Sequence, residues 1–545
     1  MKDWYQLLQR LPWVRGYLSE LQHIYQIIKP ADEITVEKSV KRVLKGNLLL
    51  SLILAGIFLS FRGATVYLYG ILFMTAVIVN RQWVNQRLLK EEKRLLEQLE
   101  KYLGDVRHHY HTGGLIEEAV YDSLEQAPYE IALHMHQIYD VLTEEDKEAD
   151  IRYRELAPNK FLTTFLALCQ ITIEYGDSIW DGSSLFLTNL NYLREEIRIE
   201  LLKREKAAYV FSGLFWISLL PVFFLKVIEN WGIQNLPELE TYYHGTYGII
   251  VSFVIFLGTF GSCQLIGRLK AFESCYKNHY LLEKIGGIPW LQQRIKAWIF
   301  THPKKSAEAS QILQKCETGL RLPEFIVKKL LYTAGGAGIV FIMALHIGLL
   351  KNLFWLPAFI LAGVCSFFAG FLAGKLPEVF LALQLFLGKR EKEDEVLQFH
   401  SIIIMLMHLK RMNAETILCW MENFSRFFRG SLAECVDNFS CDNEGALLLL
   451  KEREPYLPFV RLVENLEACD RVGVEKAFDE VAGQRNYFLE KRKQDNEIAI
   501  TEKGALARVV AYLPMVLTLL LYLIVPFVLE SILQLSGYMS QVSGQ

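Results

Sequence analysis

Between Asn159 and Leu225 a helical segment (FLTTFLALCQITIEY) breaks at Gly176 and an amphipathic helix begins near Leu185. That helix turns charged (REEIRIELLKREKAA) and runs straight into an apolar stretch (YVFSGLFWISLLPVFFL). The same order returns between Phe459 and Pro526: FVRLVENLEACDR, a break at Gly473, the charged YFLEKRKQDNEIAITEK, then ALARVVAYLPMVLTLLLYLIVPFVL. Phe186, Leu190, Leu193, Ile197 and Leu201 recur every three or four residues and put one apolar stripe against a helical partner. Glu200 and Arg204 stand i,i+4 on the solvated side. A water-compatible helix that feeds a span-length apolar one, written twice, predicts a duplicated membrane protein.

Composition agrees. Of 545 residues 52% are hydrophobic and only 22% charged, too apolar for an ordinary water-soluble chain, yet charged stretches separate the apolar runs. These features predict an all-α, polytopic membrane protein with sizeable water-facing parts. The net charge of -3 argues neither for nor against nucleic acid, and with no basic stripe carrying interleaved aromatics no nucleic-acid partner is expected.

Residues 1–45 carry no signal-peptide pattern. Trp4, Leu7, Leu8, Leu11, Val14, Leu18, Leu21, Tyr25 and Ile28 fall near helical spacing, which suits either a helix lying on the membrane surface or one packed on the protein's own cytoplasmic part. Residues 46–80 read as a membrane hairpin turning at Arg62-Gly63, with a single long kinked helix as the alternative. Lys41, Arg42 and Lys45 before it, and Arg81, Arg87, Lys90, Lys93 and Arg94 after it, put both its ends inside.

Residues 81–206 form a first cytoplasmic helical domain, with breaks at Gly113-Gly114 and Pro128 and a solvated acidic run from Thr143 to Asp150. Residues 207–267 hold two spans, Ala207 to Ile228 and Gly245 to Ile266. Between them lie Glu229, Glu238 and Glu240 without Lys or Arg, the pattern of an outside segment. A basic connector occupies 268–329, a second hairpin around Lys351-Asn352 occupies 330–374, a second helical domain 375–504, a last span 505–530 and an extracytoplasmic tail 531–545. The count is about seven spans in the cell (cytoplasmic) membrane, with the N-terminus and both large domains inside and the C-terminus outside. Each half ends in a span with an internal proline, Pro221 or Pro514. GGLIEEAVYDSLEQ from Gly113 echoes RMNAETILCWMENF from Arg411.

Chemistry is sparse. No GxxxxGK[ST], GxSxG or HExxH occurs. GGAG at Gly335 to Gly338 reads as close helix packing inside a span rather than as a phosphate loop. His108, His109 and His111, with His134 and His136, lack a Cys or carboxylate at ligand spacing, so no metal and no cofactor is expected. Nine cysteines without a CxxC, all in cytoplasmic or membrane segments, suit reduced thiols. Lys226 and His346 sit near span ends, where snorkelling accounts for them, and Glu530 lies at the outer end of the last span.

The ordered set resembles the type II secretion system F family of inner-membrane platform proteins, which includes the platforms of type IV and tight-adherence pili. The resemblance rests on EYGDS around Gly176, DRVGVEKAF around Gly473, the TGGLIEEAV-like helix start after Thr112, and the charged helices entering proline-containing spans. It covers about 95–225 and 395–530. Two departures stand out. A hairpin precedes each domain, as in the tight-adherence branch, where two chains carry one domain each; here two such units are joined. The second domain also holds an insertion-like stretch, SCDNEGALLLLKEREPYLP. Acidic metal ligands described for some members have no matching positions.

The resemblance implies no catalysis by this chain. It implies cytoplasmic bundles that engage a hexameric secretion ATPase, spans that hold pilin or pseudopilin subunits in the lipid bilayer, and a homo-oligomer. Gly113, Gly176, Gly473, Pro221 and Pro514 are the candidate structural and partner-interface positions, the glycines because a cap between helices often needs positive φ. The alternative function is a membrane subunit of a transporter or exporter.

Overall fold

The computed structural model describes residues 12–30, 32–60, 66–144, 147–180, 182–270, 289–301, 303–316, 322–350, 355–409, 412–425 and 427–543. Among them every element is helical except one two-residue β-ladder. In chain order these are α1 Pro12–Ile28, α2 Glu33–Ser60, α3 Val66–Gly113, α4 Ile116–Asp122, α5 Tyr129–Glu144, α6 Lys147–Leu156 and α7 Lys160–Tyr175. The ladder pairs β1 Ile179–Trp180 with β2 Ser183–Ser184, and α8 Leu185–Val210, α9 Leu214–Asn235, α10 Glu240–Tyr243 and α11 Thr246–Lys270 follow. Then come α12 Pro289–Thr301, α13 Pro303–Cys316, α14 Leu322–Leu350, α15 Trp355–Leu406, α16 Ala414–Phe424, α17 Arg429–Phe439, α18 Asn443–Arg453, α19 Leu457–Val472 and α20 Val474–Gly483. The last helix is in three parts: α21 Arg485–Leu517, a π-helical segment Thr518–Ile524, and α22 Val525–Ser543.

Among the described residues three helical stretches are long and apolar enough to cross a membrane: Leu185–Asn235 (α8 with α9), Thr246–Lys270 and Arg485–Gly537. The chain divides into two compact units, residues 1–166 with 193–274 and 497–545, and residues 167–192 with 275–496.

Helix boundaries follow local chemistry. Gly114 at φ 74° ends α3, its N–H donating to the Tyr110 carbonyl at 2.9 Å. Asn159 caps α7 by accepting the N–H groups of Phe161 and Leu162, both at 3.1 Å. Asp177 and Ser184 start α8: the carboxylate accepts the Ser184 hydroxyl and the Phe186 N–H, and Ser184 Oγ accepts the Leu187 N–H. Asn413 and Asp442 cap α16 and α18 in the same way.

In the first unit α1 lays Leu18, Leu21 and Tyr25 against Val36, Val40, Val43 and Val84, and Ile28 is also buried. The described part of the N-terminal apolar stripe, Leu18 to Ile28, thus packs inside the protein; positions 4 to 11 and the side chain of Val14 lie outside what is described. α2 and α3 run antiparallel: Asn80 Nδ2 donates to Ser51 Oγ at 2.8 Å, and Gly46 abuts the Trp83 indole, where a Cβ would come within 2.2 Å. This excludes one long kinked helix, while the expected turn at Arg62-Gly63 lies outside the described residues. Leu99, Leu103 and Val106 of α3 are buried, as are Val120, Ile131, Met135, Ile138, Leu162 and Phe165. The Tyr102 hydroxyl donates to the Val120 carbonyl at 2.7 Å.

The second unit is also helical. α14 and α15 are antiparallel, with Lys329 paired to Glu378 and Gly374 and Gly370 set against Thr333 and Ala337. Close approach is made by the GFLAG glycines of α15, Gly370 resting on Ala337 of the GGAG run, while Gly335 and Gly338 face open space. The turn at Lys351-Asn352 lies outside the described residues, as does the side chain of His346. Beyond the hairpin, Phe399, Phe428 and Phe459 form the aromatic centre, the last two stacked at 4.2 Å.

Candidate functional site: the α8–α21 junction and the Glu229 cluster

Two long helices, α3 and α15, are each paired with a later long helix, α8 and α21 respectively. In the first unit the seam between α3 and α8 is ionic. Arg204 reaches Glu92 at 3.4 Å and Glu200 at 2.8 Å, Lys93 reaches Glu205 at 2.8 Å, and Glu100 takes both Arg194 and Arg198. Glu200 and Arg204 do form the i,i+4 pair, but it faces this seam instead of open water, because Glu92 approaches from α3. Gly104 lets the Arg194 guanidinium lie flat on α3, at 3.3 Å from the site of a Cβ. In the second unit Arg492 of α21 binds Asp394 of α15 at 2.7 Å, and Asn496 adds a hydrogen bond at 2.9 Å. The paired helices are therefore fastened by acid–Arg contacts in both places, half-buried in the first unit and buried at Arg492 in the second, and charge-assisted hydrogen bonds are the strong ones.

At the start of the spans α8 and α21 run parallel and touch. Lys206 pairs with Glu497 at 2.6 Å, and two turns on, Gly504 meets Val210 so closely that a Cβ would lie 2.1 Å from Cγ1. Helix α8 is not continuous into its span: Phe211 to Gly213 form a turn, with Gly213 at φ 76°, before α9 starts. Helix α21 runs unbroken past Pro514 into the π segment.

The five positions singled out in the sequence fall apart into two kinds. Gly176 and Gly473 take positive φ, 74° and 85°, at the ends of α7 and α19. At the first domain's glycine pair it is Gly114, not Gly113, that does so; Gly113 is the last residue of α3. Pro221 and Pro514 lie inside α9 and α21.

At the other end of the spans lies a cluster that sequence reasoning missed. Glu229, 5% exposed, accepts Lys226 Nζ at 2.5 Å, contacts His244 Nε2 at 2.9 Å and accepts the Tyr522 hydroxyl at 3.3 Å. Lys226 therefore turns inward to a carboxylate one turn away and does not snorkel. Tyr243 packs tilted against Tyr522, ring centroids 5.0 Å apart, and lies over Gly232, where a Cβ would be 2.9 Å from its hydroxyl. Burial and the Glu229 charge push the Tyr243 phenol up to about 12. The Tyr247 hydroxyl donates to the Leu521 carbonyl at 2.5 Å. An i,i+3 Lys–Glu pair at the edge of an apolar run was the available signal, but its partner Tyr522 is 293 residues away.

Among the described residues no three His, Cys, Asp or Glu side chains gather as a metal would need. His108 and His109 stand side by side, and His109 lies 4.0 Å from Asp122. His134 is buried and bonds the Ile28 carbonyl at 3.1 Å. No protein-family model, curated protein or solved structure matches this chain.

Proposed function

We propose that this chain is a platform protein of the cytoplasmic membrane, the assembly scaffold of a type II secretion machine or of a type IV or tight-adherence pilus. It has no catalysis of its own. A hexameric secretion ATPase engages its cytoplasmic helical domains, and pilin or pseudopilin subunits are held by its spans, about seven in number, as they are lifted out of the bilayer. The chain works as a homo-oligomer, with the two domains at 81–206 and 375–504 as repeats of one unit.

The observation that carries this reading is the junction of α8 with α21. Two helices that return from the water-facing parts arrive parallel, in contact at Lys206–Glu497 and Gly504–Val210; the second continues unbroken into a membrane-length apolar helix, and the first joins one through the three-residue turn 211–213. Arg204 ties the first of them to the hairpin helix α3. A push on either return helix is passed into the spans, which a Gly/Ser linker would absorb.

The reading is tested in the native host by removing the chain. Electron microscopy of the cell surface and analysis of secreted protein should show lost filaments or lost secretion, restored by the intact chain. Unchanged filaments and unchanged secretion would sink it. A membrane subunit of a transporter or exporter is the second reading, favoured by the buried Glu229–Lys226 pair. It ranks second because that pair stands at the outer end of α9 and ties helices together rather than lining an opening.

A further inference from the structure

The π segment Thr518–Ile524 is bracketed by two prolines, and the second makes its register chemically readable. In a π register each carbonyl takes the N–H five residues on, in an α register the one four residues on. Pro526 has no N–H. In the π register the carbonyl it abandons is that of Leu521, and this is the atom to which Tyr247 of α11 donates its hydroxyl, at 2.5 Å. In the α register Pro526 would abandon the carbonyl of Tyr522 instead, a residue only 1% exposed, and the Tyr247 hydroxyl would face a carbonyl already bonded within the helix.

Other contacts select the same register. The Tyr522 hydroxyl reaches buried Glu229 and its ring packs tilted against Tyr243. At the start of the segment Thr518 Oγ1 donates to the Pro514 carbonyl at 2.8 Å. Just before it, Leu517 rests on Gly258, at 3.0 Å from the site of a Cβ. The groups facing the segment are thus Lys226 and Glu229 from α9, Glu240, Tyr243 and His244 from the α9–α11 connection, and Tyr247 from α11.

We propose that Thr518–Ile524 is a two-register switch in the last span, held in its π register by Tyr247 and Tyr522. Returning one residue to the α register turns everything beyond it by about 100° and shifts it by about 1.5 Å. The part that turns is α22, whose Phe527, Val528, Ile532, Leu533 and Leu535 are exposed, so the apolar face it offers its surroundings changes while α21 stays in place. Tyr247 is the register-reading residue and Glu229 the anchor. The switch stands on this geometry; only its use, as the outward end of a mechanical coupler, rests on the platform reading.

The test uses the full chain in native membranes, with two pairs of introduced cysteines and a short thiol cross-linker, each product identified by mass spectrometry. The outer pair replaces Tyr242 and Glu530, which lie close enough that burial and the Glu530 carboxylate together raise the Tyr242 phenol. The inner pair replaces Lys206 and Glu497, which lie before the switch. Y247F and Y522F should each lower outer cross-linking about tenfold and leave the inner pair unchanged. Deletion of Leu520, which removes the extra residue of the π segment, should abolish the outer product and keep the inner one. An outer pair that Y247F and the deletion both leave intact overturns the switch; so does joint loss of both pairs, because a register change beyond Leu517 cannot reach Lys206 and Glu497. Neither pair depends on an ATPase, so the outcome is independent of the platform reading.

Discussion

Gly473 and Gly504 are both glycines that a side chain should damage, for opposite physical reasons. At Gly473 nothing lies within 4 Å of where a Cβ would stand, so packing adds no cost. The backbone is at φ 85° and ψ 156°, a region that is essentially glycine-only, and alanine there costs about 1–3 kcal/mol. Asparagine should fail to rescue it, since asparagine tolerates the left-handed helical well near ψ +47° and not this one. Gly504 is helical, but its Cβ would stand 2.1 Å from Val210 Cγ1, so alanine there costs about 1–3 kcal/mol through overpacking. The partner can give way, and V210A should recover most of the loss in a G504A background. Hydrogen exchange of the full chain in detergent, read by mass spectrometry over 457–483 for the first site and over 197–210 and 497–517 for the second, measures both. Gly430, inside α17 with open space around it and no positive φ, is the control whose alanine variant should be neutral or stabilising. Equal protection in G473A and G430A would refute the backbone argument, and a G504A loss that V210A leaves unchanged would refute the contact argument.

Three further outcomes follow from buried polar groups and close contacts. Burial holds His134 down to about 4, against the opposing bond to the Ile28 carbonyl, and burial with Lys491 holds His400 down to about 4. The folded values lie below the unfolded 6.5, so the unfolded chain takes up protons first and stability falls as pH drops from 6.5 towards 4. H134Q should flatten this slope by about 3 kcal/mol in pH-dependent exchange over 129–144. Glu395, 6% exposed, accepts the Ser425 hydroxyl and the N–H groups of Phe427 and Phe428, so E395Q puts an amide donor against donors and should cost about 1.5–3 kcal/mol, read as lost protection at the start of α17. G374L should force α14 and α15 apart, because even a Cβ there would stand 2.2 Å from Thr333 Cγ2, and a cross-link between cysteines at 329 and 378 should be lost.

Much of the architecture is legible in the residues because its punctuation is local. Gly114, Pro128, Gly176 and Gly473 end or begin helices through their own backbone chemistry, and the stripe Phe186, Leu190, Leu193 and Ile197 is buried as its spacing requires. What stayed hidden depends on distant partners. Glu200–Arg204 looks solvated until Glu92, 112 residues from Arg204, closes over it. Glu229 sits in a segment whose lysine-free acidity suits an outside loop, and only Tyr522 and Tyr247, brought in by the last span and α11, make that region a lock. Pro514 announces a disturbed helix, but not a π segment, because the register is chosen by Pro526 and a hydroxyl on another helix. The same limit explains GGAG: small residues mark a close approach, and which helix supplies the gap is a matter of tertiary pairing.

The most direct test of the platform account is native purification of the tagged full chain from its own host in mild detergent, with mass spectrometry of whatever accompanies it. The account predicts a hexameric secretion ATPase together with pilin-like subunits at reproducible stoichiometry. Recovery of the chain alone, or with a small solute that it carries into liposomes, would contradict it.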